Sequence, residues 1–409
     1  MSKAPIDDDH AFDPTDPVQS KDFERLARIR NDRGVCRPAE NVVLTTRFDA
    51  TARAFRDARR LSSVGDMRAP GVVVPTEESF LGELDAPLHP KVRRILLKGF
   101  TRSRAASAES WTRSEVGRRL DAILVALAGG GSVDLMSELA IPLPGSVSAH
   151  ELGIPEALHD PVMRWCDELL HSSWPATGKT EKGEGIALAF PELAACIDAQ
   201  IEERTKAGPD GFDDLLSIMV HSRTEEGWSI GAQHTRTLVV NILAGSLSAS
   251  FMLGNLFHRL LTDPEFARVL REDAEKIPRA VEESLRFESP VAFLFRTARE
   301  ETEIGGCPVH RGEHVMLGIA AANRDEATHP DGESFRLDRE NGAEHLAFGS
   351  GPHICLGNHL TRMIGRVAIE EFLMAMDRTG IELAGGYEWK CVDHLLEYGP
   401  TRLPIVLRR

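Results

Sequence analysis

Cysteine is scarce in this sequence, and no two cysteines form a CxxC pair. The six are Cys36, Cys166, Cys196, Cys307, Cys355 and Cys391. Disulfide frameworks and structural zinc sites place cysteines at short, regular spacings, so this scattered distribution argues against both. We therefore expect a cytoplasmic protein whose thiols are reduced.

The sequence also lacks the apolar segments that direct a chain to a membrane. Residues 1–20 are acidic and contain proline, so they are unlike a signal peptide, and we expect them to form a flexible tail. The most apolar segment, 237–261, is interrupted by asparagine, serine and glycine, and it lacks the roughly 18 consecutive apolar residues of a span. A buried helix is the better interpretation, and no membrane partner is expected.

Basic residues are outnumbered. The chain has 48 Lys and Arg against 63 Asp and Glu, which gives a formal net charge of -15. A negative chain is a poor candidate for general nucleic-acid binding, because affinity for nucleic acids comes largely from cations on phosphates. We therefore expect no nucleic-acid partner.

The periodicity of apolar residues predicts a mainly α protein with a minor β region. Helical spacing covers 191–205, 237–261, 272–287 and 356–376, while 293–298, 301–304, 314–319 and 389–407 are predicted strands. The segments 64–87 and 172–185 are predicted loops, the second of which has the character of a lid. No internal repeat is present.

One cysteine stands in an unusual loop, HLAFGSGPHICLGNHL, residues 345–360. Gly349, Gly351 and Gly357 remove side chains around Cys355, which permits unusual dihedrals and the close approach of a flat ligand. Cys355 also precedes a predicted helix, whose N-terminal N–H groups would stabilise a thiolate. The alternatives are a small buried thiol and a phosphate-binding loop, although the Gly-Lys-Ser/Thr ending of the latter is missing.

The decapeptide FGSGPHICLG resembles the cysteine-ligand signature of the cytochrome P450 family: Phe, two residues, Gly, three residues, Cys, one residue, Gly. Phe348, Gly351, Cys355 and Gly357 fill those places. The resemblance implies the mainly α cytochrome P450 fold and a haem b (iron protoporphyrin IX) whose iron is bound by Cys355. It also implies that Phe348 packs near the sulfur and that His353 reaches a haem propionate.

A second motif of that family, Glu-x-x-Arg, resembles Glu283 and Arg286 here. Residues three apart share a helix face and can pair, although surface helices carry many such pairs. The resemblance implies a structural ion pair with a third partner before the cysteine loop, either Arg336 or Arg339.

Two further resemblances to the family imply which cationic residues bind the haem propionates. The His-x-x-x-Arg start of a helix corresponds to His89 and Arg93, and Arg296 stands after the Glu-x-x-Arg helix, where the family places another arginine. Each could instead be a solvated surface charge. Together the motifs extend the resemblance from about residue 85 to the C-terminus, and we expect one P450 domain over 21–409.

The segment 243–249 resembles the central helix that crosses the haem, but it departs from the family pattern. Ala244 and Gly245 match the usual small pair. Leu247 stands in the place of the usual acid and Ser248 in the place of the usual threonine, so we expect Gly245, Leu247 and Ser248 to be the catalytic positions. Either another route supplies protons, or the chemistry is altered, because leucine cannot relay a proton.

The resemblance implies an apolar pocket for a small apolar substrate. Its expected lining is Leu243, Ala244, Leu247, Ala292, Phe293 and Leu294, with Leu395, Leu396 and the loop 72–80. The implied reaction is insertion of one oxygen atom from O2, with electrons from a ferredoxin and a ferredoxin reductase. Arg362 and Arg366 are expected either in the docking patch for that partner or on a solvated helix face.

Two rival functions remain open at this point. One is a haem-thiolate enzyme that uses peroxide or rearranges an oxygenated substrate, which the loss of the acid at Leu247 favours. The other is a haem sensor or carrier without turnover.

Overall fold

The computed structural model describes residues 6–65, 68–69 and 72–408. Most of the regular structure is helical, as the periodicity predicted. The α-helices are α1 Pro17–Ser20, α2 Phe23–Asp32, α3 Phe48–Arg56, α4 Leu88–Leu96, α5 Arg102–Ser107, α6 Glu109–Ala128, α7 Pro142–Glu151, α8 His159–His171, α9 Trp174–Thr177, α10 Ile186–Ala189, α11 Pro191–Ala207, α12 Leu215–His221, α13 Ala232–Ala244, α14 Ser246–Thr262, α15 Pro264–Glu272, α16 Ile277–Phe287, α17 Ile319–Ala322 and α18 Asn358–Thr379.

The strands are short and form small sheets. They are β1 Val35–Ala39, β2 Val42–Thr45, β3 Leu61–Ser62, β4 Val133–Asp134, β5 Lys179–Thr180, β6 Gly183–Glu184, β7 Leu294–Ala298, β8 Thr302–Ile304, β9 Cys307–Val309, β10 His314–Leu317, β11 Ile381–Leu383 and β12 Pro404–Leu407. A five-stranded sheet has the order β1-β2-β10-β7-β3, and β11, β12 and β4 form a second sheet. The pairs β5–β6 and β8–β9 are hairpins.

The chain divides into two compact units. The first contains the described residues of Met1–Ser62, Trp111–Ile141 and Ser248–Arg409, and the second those of Ser63–Ser110 and Pro142–Leu247. The first unit therefore holds the three-stranded and five-stranded sheets, α14 to α18 and the cysteine loop. The second unit holds α4, α7, α8 and α10 to α13.

The core of the first unit consists of apolar side chains from the sheet and from the helices that cover it. Val43, Val315 and Leu317 are fully buried in one cluster, together with Phe55 of α3. Close helix packing extends this core, since Gly365 of α18 approaches α16 so tightly that a Cβ there would lie 3.2 Å from Val281 Cγ1. Leu346, at the start of the cysteine loop, belongs to the same cluster as the sheet residues, and the loop ends at α18.

The second unit combines apolar helix packing with buried ion pairs. Arg204 of α11 donates to the Asp214 carboxylate at 2.8 Å, and Asp214 also caps α12 by accepting from the Ser217 N–H at 2.7 Å. Burial of an arginine requires such a partner, because an unpaired charge in the interior is costly. This pair joins α11 to the start of α12.

The predicted elements agree with the structure in most places. The helices over 191–205, 272–287 and 356–376 are confirmed as α11, α16 and α18, and the strands over 293–298, 301–304 and 314–319 are confirmed as β7, β8 and β10. The prediction of strands throughout 389–407 is wrong, because only Pro404–Leu407 forms a strand and 391–400 contributes two isolated bridges. Charged residues, glycine and proline interrupt that stretch and prevent a continuous ladder.

The long apolar segment forms α13 and α14, separated at Gly245. Among the described residues, Ala232–Thr262 is long and apolar enough to cross a membrane, with a mean hydropathy of 1.6 in its most apolar window. However, 67% of that window is buried within the protein, and a core helix passes the same test of length and composition. Its burial supports the interpretation as a core helix.

The N-terminal segment is more ordered in its described part than a flexible tail would be. Phe12 is buried in an apolar cluster with Leu26 and Ile29, and its N–H donates to the Pro38 carbonyl at 3.0 Å. Residues 1–5 of the expected tail lie outside the described residues, and so do 66–67 and 70–71 of the predicted loop 64–87. The domain boundary at residue 20 stays a prediction.

Candidate active site

Two glycines shape the cysteine loop. Gly349 and Gly351 have φ values of +70° and +73°, a left-handed conformation that favours glycine. Gly351 also lies so close to α3 that an added Cβ would be 2.9 Å from Arg56 Cα and 3.1 Å from the Phe55 carbonyl oxygen. Any larger residue would therefore push the loop away from α3.

Cys355 is held at the end of this loop. Its N–H donates to the Phe348 carbonyl at 2.8 Å, and its carbonyl accepts from Asn358 Nδ2 at 2.8 Å. A Cβ at Gly357, the residue that precedes α18, would lie 3.9 Å from Cys355 Sγ. The sulfur is thus beside the N-terminus of a 22-residue helix, where partial positive charge favours a thiolate.

The other cysteines have different surroundings. Burial raises the pKa of the Cys36 and Cys166 thiols to about 12, and it also raises the pKa of Cys196 and Cys307. All six cysteines are described, and Cys355 alone is exposed. Exposure makes its sulfur available to a ligand, whereas a buried neutral thiol is inert.

Arg296 lies near the same loop. It is 7% exposed on β7, where it pairs in register with Val315, and its guanidinium is 5.7 Å from the centre of the Phe55 ring. Phe55 also lies 3.6 Å from the Cβ position of Gly349. One phenyl ring therefore contacts both the cysteine loop and the buried arginine. His353 is half-buried in the short 3₁₀ turn Gly351–His353 of that loop.

Phe348 packs against a cluster of charged residues. The Arg362 guanidinium is 4.6 Å from the centre of the Phe348 ring, and the His345 ring packs beside it at 5.7 Å. Arg362 donates to both Glu282 oxygens, at 2.5 and 3.0 Å, and His345 Nε2 is 3.1 Å from the same carboxylate. Burial opposes ionisation of Glu282, but the hydrogen bonds from His345 and Arg362 prevail and lower its pKa to about 2.

The Glu-x-x-Arg pair lies beside this cluster on α16. Arg286 donates to both oxygens of Glu283, at 2.7 and 2.8 Å, and both side chains are at most 1% exposed. Arg339 donates to Glu283 at 2.9 Å through its side chain, whereas Arg336 reaches it only through its backbone N–H at 2.7 Å. Of the two third partners predicted, Arg339 is the one whose charge is paired with Glu283.

The second unit carries the other candidate haem residues. His89 is buried and Arg93 is half-buried on α4, one turn apart on the same face. The segment predicted to be a lid forms α9 and the hairpin β5–β6, and Arg68 anchors it by donating to the Trp174 carbonyl at 2.9 Å. Arg68 is itself paired with buried Glu83 at 2.7 Å.

The predicted catalytic segment coincides with the break between α13 and α14. The Ser246 hydroxyl donates to the Leu243 carbonyl at 2.6 Å, and Gly245 is exposed. A hydroxyl that competes for a main-chain carbonyl opens a helix locally. The assignment of Ser248 as a catalytic position stays a prediction. Leu247 and Ser248 are both half-buried.

The residues predicted to line the pocket differ in exposure. Leu243, Ala292 and Phe293 are at most 3% exposed, whereas Ala244, Leu247 and Leu294 are partly exposed. Phe293 belongs to the apolar core of the first unit, with Leu395 and Leu396 packed against that cluster. The pocket assignment stays a prediction.

Comparisons with known proteins agree on one family. A family model described as cytochrome P450 matches residues 189–376. The mycinamicin IV hydroxylase/epoxidase of Micromonospora griseorubida is 31% identical over 94% of this chain and 93% of that protein. The vitamin D(3) 25-hydroxylase of Pseudonocardia autotrophica is 32% identical over 90% of this chain and 89% of that protein.

The chain belongs to the cytochrome P450 family. A solved structure of a mutant of P450 EryK in complex with erythromycin B has a TM-score of 0.80 and 27% identity, and it covers 96% of this chain and 97% of that one. The predicted family and the mainly α cytochrome P450 fold are thereby confirmed. The protein is a P450 monooxygenase, and membership of the family implies a haem cofactor.

The residues of the cysteine loop fit such a group. A haem-thiolate site requires an accessible sulfur, a backbone that leaves room for a flat ring, and cations for the propionates. Cys355 is exposed, two left-handed glycines precede it, and Arg296 lies across Phe55 from the loop. This P450 therefore has a donor set compatible with haem on its first unit.

Some residues of this site gave no signal in the sequence. Glu282, His345 and Phe55 belong to no recognised spacing. Glu282 is adjacent to the Glu-x-x-Arg glutamate, but only the packing of α16 on α18 reveals that it meets Arg362.

Proposed function

We propose that Cys355 is the thiolate ligand of haem b in this P450. The observation that carries the proposal is the exposed sulfur at the N-terminus of α18, held by the Cys355-to-Phe348 hydrogen bond at 2.8 Å. Arg296 and His353 on the first unit would bind the propionates, with His89 and Arg93 from α4 contributing by resemblance. Phe348 would pack beside the sulfur, where its contact with the Arg362 guanidinium fixes its orientation.

We propose that the reaction is insertion of one oxygen atom from O2 into a small apolar substrate. Haem, when bound, supplies the activation of dioxygen. Ala244 and Gly245 would leave room for oxygen, and Leu243 and Leu247 would present an apolar surface to the substrate. The names of two relatives, a mycinamicin IV hydroxylase/epoxidase and a vitamin D(3) 25-hydroxylase, support the hydroxylation of a small organic molecule.

Proton delivery would fall to Ser248 and to water at the break in the helix. The segment Ala232–Thr262 contains no Asp or Glu, so no carboxylate of this helix can hold a proton there. Ser246 donates its hydroxyl to the Leu243 carbonyl at the junction of α13 and α14, two residues before Ser248. We assign Ser248 as the residue that orients this water.

Electrons would come from a ferredoxin and its reductase in the cytoplasm. Arg362 is a poor docking residue, because Glu282 neutralises its charge, and Arg366 is paired with Glu370 at 3.0 Å. Arg56 is exposed and donates to Ser350 Oγ of the cysteine loop at 3.0 Å, so we include it in the docking patch.

A peroxide-using or rearranging enzyme is the second candidate, and Leu247 in the acid position favours it. Peroxide already carries both the oxygen atom and the electrons, so turnover without redox partners would separate it from the first candidate. A haem sensor without turnover would fail both assays, with dioxygen and with peroxide.

The thiolate assignment is tested by the spectrum of the reduced, carbon-monoxide-bound protein. We expect the red-shifted Soret band of a haem thiolate in the wild type and its loss in Cys355→His. Cys391→Ala, which removes a half-buried cysteine of the same unit, is the control and should keep the band. Retention of that band in Cys355→Ala would show that the assignment is wrong.

A further inference from the structure

A single lysine near the N-terminus holds a distant loop of the first unit. Lys21 Nζ donates to the carbonyl oxygens of Val392, His394 and Glu397, at 2.8, 2.7 and 3.0 Å. An ammonium group has three donors, so these three carbonyls satisfy it completely. Each hydrogen bond is charge-assisted, which makes the set stronger than three neutral contacts.

The backbone of Lys21 is itself fixed between two capped helices. Asp16 caps α1 by accepting from the Val18 N–H at 2.8 Å, and Asp22 caps α2 by accepting from the Arg25 N–H at 3.0 Å. Lys21 is the one-residue junction between α1 and Asp22. Its ammonium therefore extends from an ordered support.

The loop that Lys21 holds, 392–397, is attached on its other side to the strand region before β7. The Ala292 N–H donates to the Leu396 carbonyl at 2.7 Å, and the Tyr398 N–H donates to the Pro290 carbonyl at 2.9 Å. Leu395 and Leu396 pack against the apolar cluster that contains Ala292. Lys21 binds the carbonyls of His394 and Glu397, which stand directly before and after the two leucines in the chain.

We propose that Lys21 is a positioning residue for substrate binding, which acts by fixing the loop 392–397 and so the placement of Leu395 and Leu396. The inference rests on the proposed function and on the expectation from the sequence that these two leucines line the substrate pocket. Segments about 370 residues apart in sequence are joined by one side chain, so an N-terminal substitution alters substrate binding without touching the cysteine loop.

The test compares the Lys21→Met variant with the wild type, both as haem-loaded holoenzymes. Methionine keeps the length of the side chain but donates no hydrogen bond, whereas Lys21→Arg restores a charged donor. Lys276→Met, which removes a lysine of the same unit that is paired with Asp273 at 3.5 Å and has a 42% exposed side chain, is the control. Two quantities are measured: amide hydrogen exchange in 391–398, and spectral titration with phenylimidazole and with imidazole.

The two ligands distinguish an effect on the substrate pocket from an effect on the haem. Imidazole needs only the iron, while the phenyl group of phenylimidazole also needs the apolar pocket. In Lys21→Met we expect exchange in 391–398 to be at least about tenfold faster, since its anchor is gone. We expect phenylimidazole to bind about tenfold more weakly, because the two leucines are no longer held in the position that completes the pocket. Imidazole affinity should be unchanged, and Lys21→Arg should recover part of both losses.

Each of the other possible results contradicts one specific part of the proposal. Unchanged exchange in Lys21→Met would show that Lys21 does not hold the loop. Faster exchange with unchanged phenylimidazole affinity would refute its role in substrate binding. If Lys21→Met does not fold, the same two measurements on Lys21→Gln decide between these results. Failure of imidazole to perturb the wild-type spectrum would refute the proposed haem site instead, whatever the exchange data show.

Discussion

Glu282→Gln should destabilise the protein markedly, although the residue belongs to no family motif used above. The carboxylate is 16% exposed and accepts hydrogen bonds from His345 and Arg362. An ordinary pKa of 4.5 compared with the pKa of about 2 here corresponds to about 3 kcal/mol of stabilisation at neutral pH. Glutamine keeps the shape of the side chain but leaves Arg362 without its carboxylate, so we expect most of this stabilisation to be lost.

The pH dependence of the loss follows from the direction of the shift. Because the folded-state pKa is below the unfolded-state value, the stabilisation is complete above about pH 4.5 and disappears as the pH falls towards about 2. The free-energy difference between wild type and Glu282→Gln should therefore be larger at about pH 5 than at about pH 3.

Urea unfolding followed by circular dichroism measures this difference, with Glu265→Gln as the control. Glu265 also pairs with an arginine, Arg268, but its side chain is 68% exposed, so water screens the pair and its removal should change the stability far less. Equal unfolding midpoints for wild type and Glu282→Gln at pH 7 would refute the argument. So would an equally large effect of Glu265→Gln, because burial would then not be the cause.

Two further predictions concern the haem and its protons. Arg296→Leu and Arg93→Leu should each accelerate haem transfer to apomyoglobin, with a loss of about 1–3 kcal/mol if a buried propionate loses a charged partner; unchanged rates in both would contradict the propionate assignment. Ser248→Ala should lower product per NADH while NADH consumption persists, and Leu247→Asp should raise the oxygen-driven rate if the carboxylate is solvated enough to ionise. Unaltered coupling in the first, with no gain in the second, would remove this helix position from proton delivery.

The cysteine loop was predictable because its determinants are local. Left-handed glycines, a cysteine and a following helix all lie within residues 349–358, and each has a meaning independent of the rest of the chain. The Glu283–Arg286 pair was predictable for the same reason, since three residues on a helix share a face. Local spacing thus sufficed wherever the interacting groups are near in sequence.

Contacts between distant segments were not predictable in this way. Glu282 and His345 are 63 residues apart, and Lys21 is more than 370 residues from the carbonyls it binds. Charge alone left Arg362 either in a docking patch or on a solvated helix face, whereas the packing of α16 on α18 pairs it with Glu282. No single-sequence pattern distinguishes a solvated arginine from one with a carboxylate on the next helix.

Adjacent carboxylates on α16 bind different parts of the chain. Successive residues of a helix point about 100° apart, so the two glutamates face different partners. Glu283 binds Arg339, which precedes the cysteine loop. Glu282 binds His345 at the start of the loop and Arg362 on α18, which follows the loop. Both ends of the loop are thereby attached to one rigid helix. A substitution at either glutamate would move Phe348 and Cys355 together, so the two carboxylates form one support for the proposed thiolate ligand, of which the family motif reveals only half.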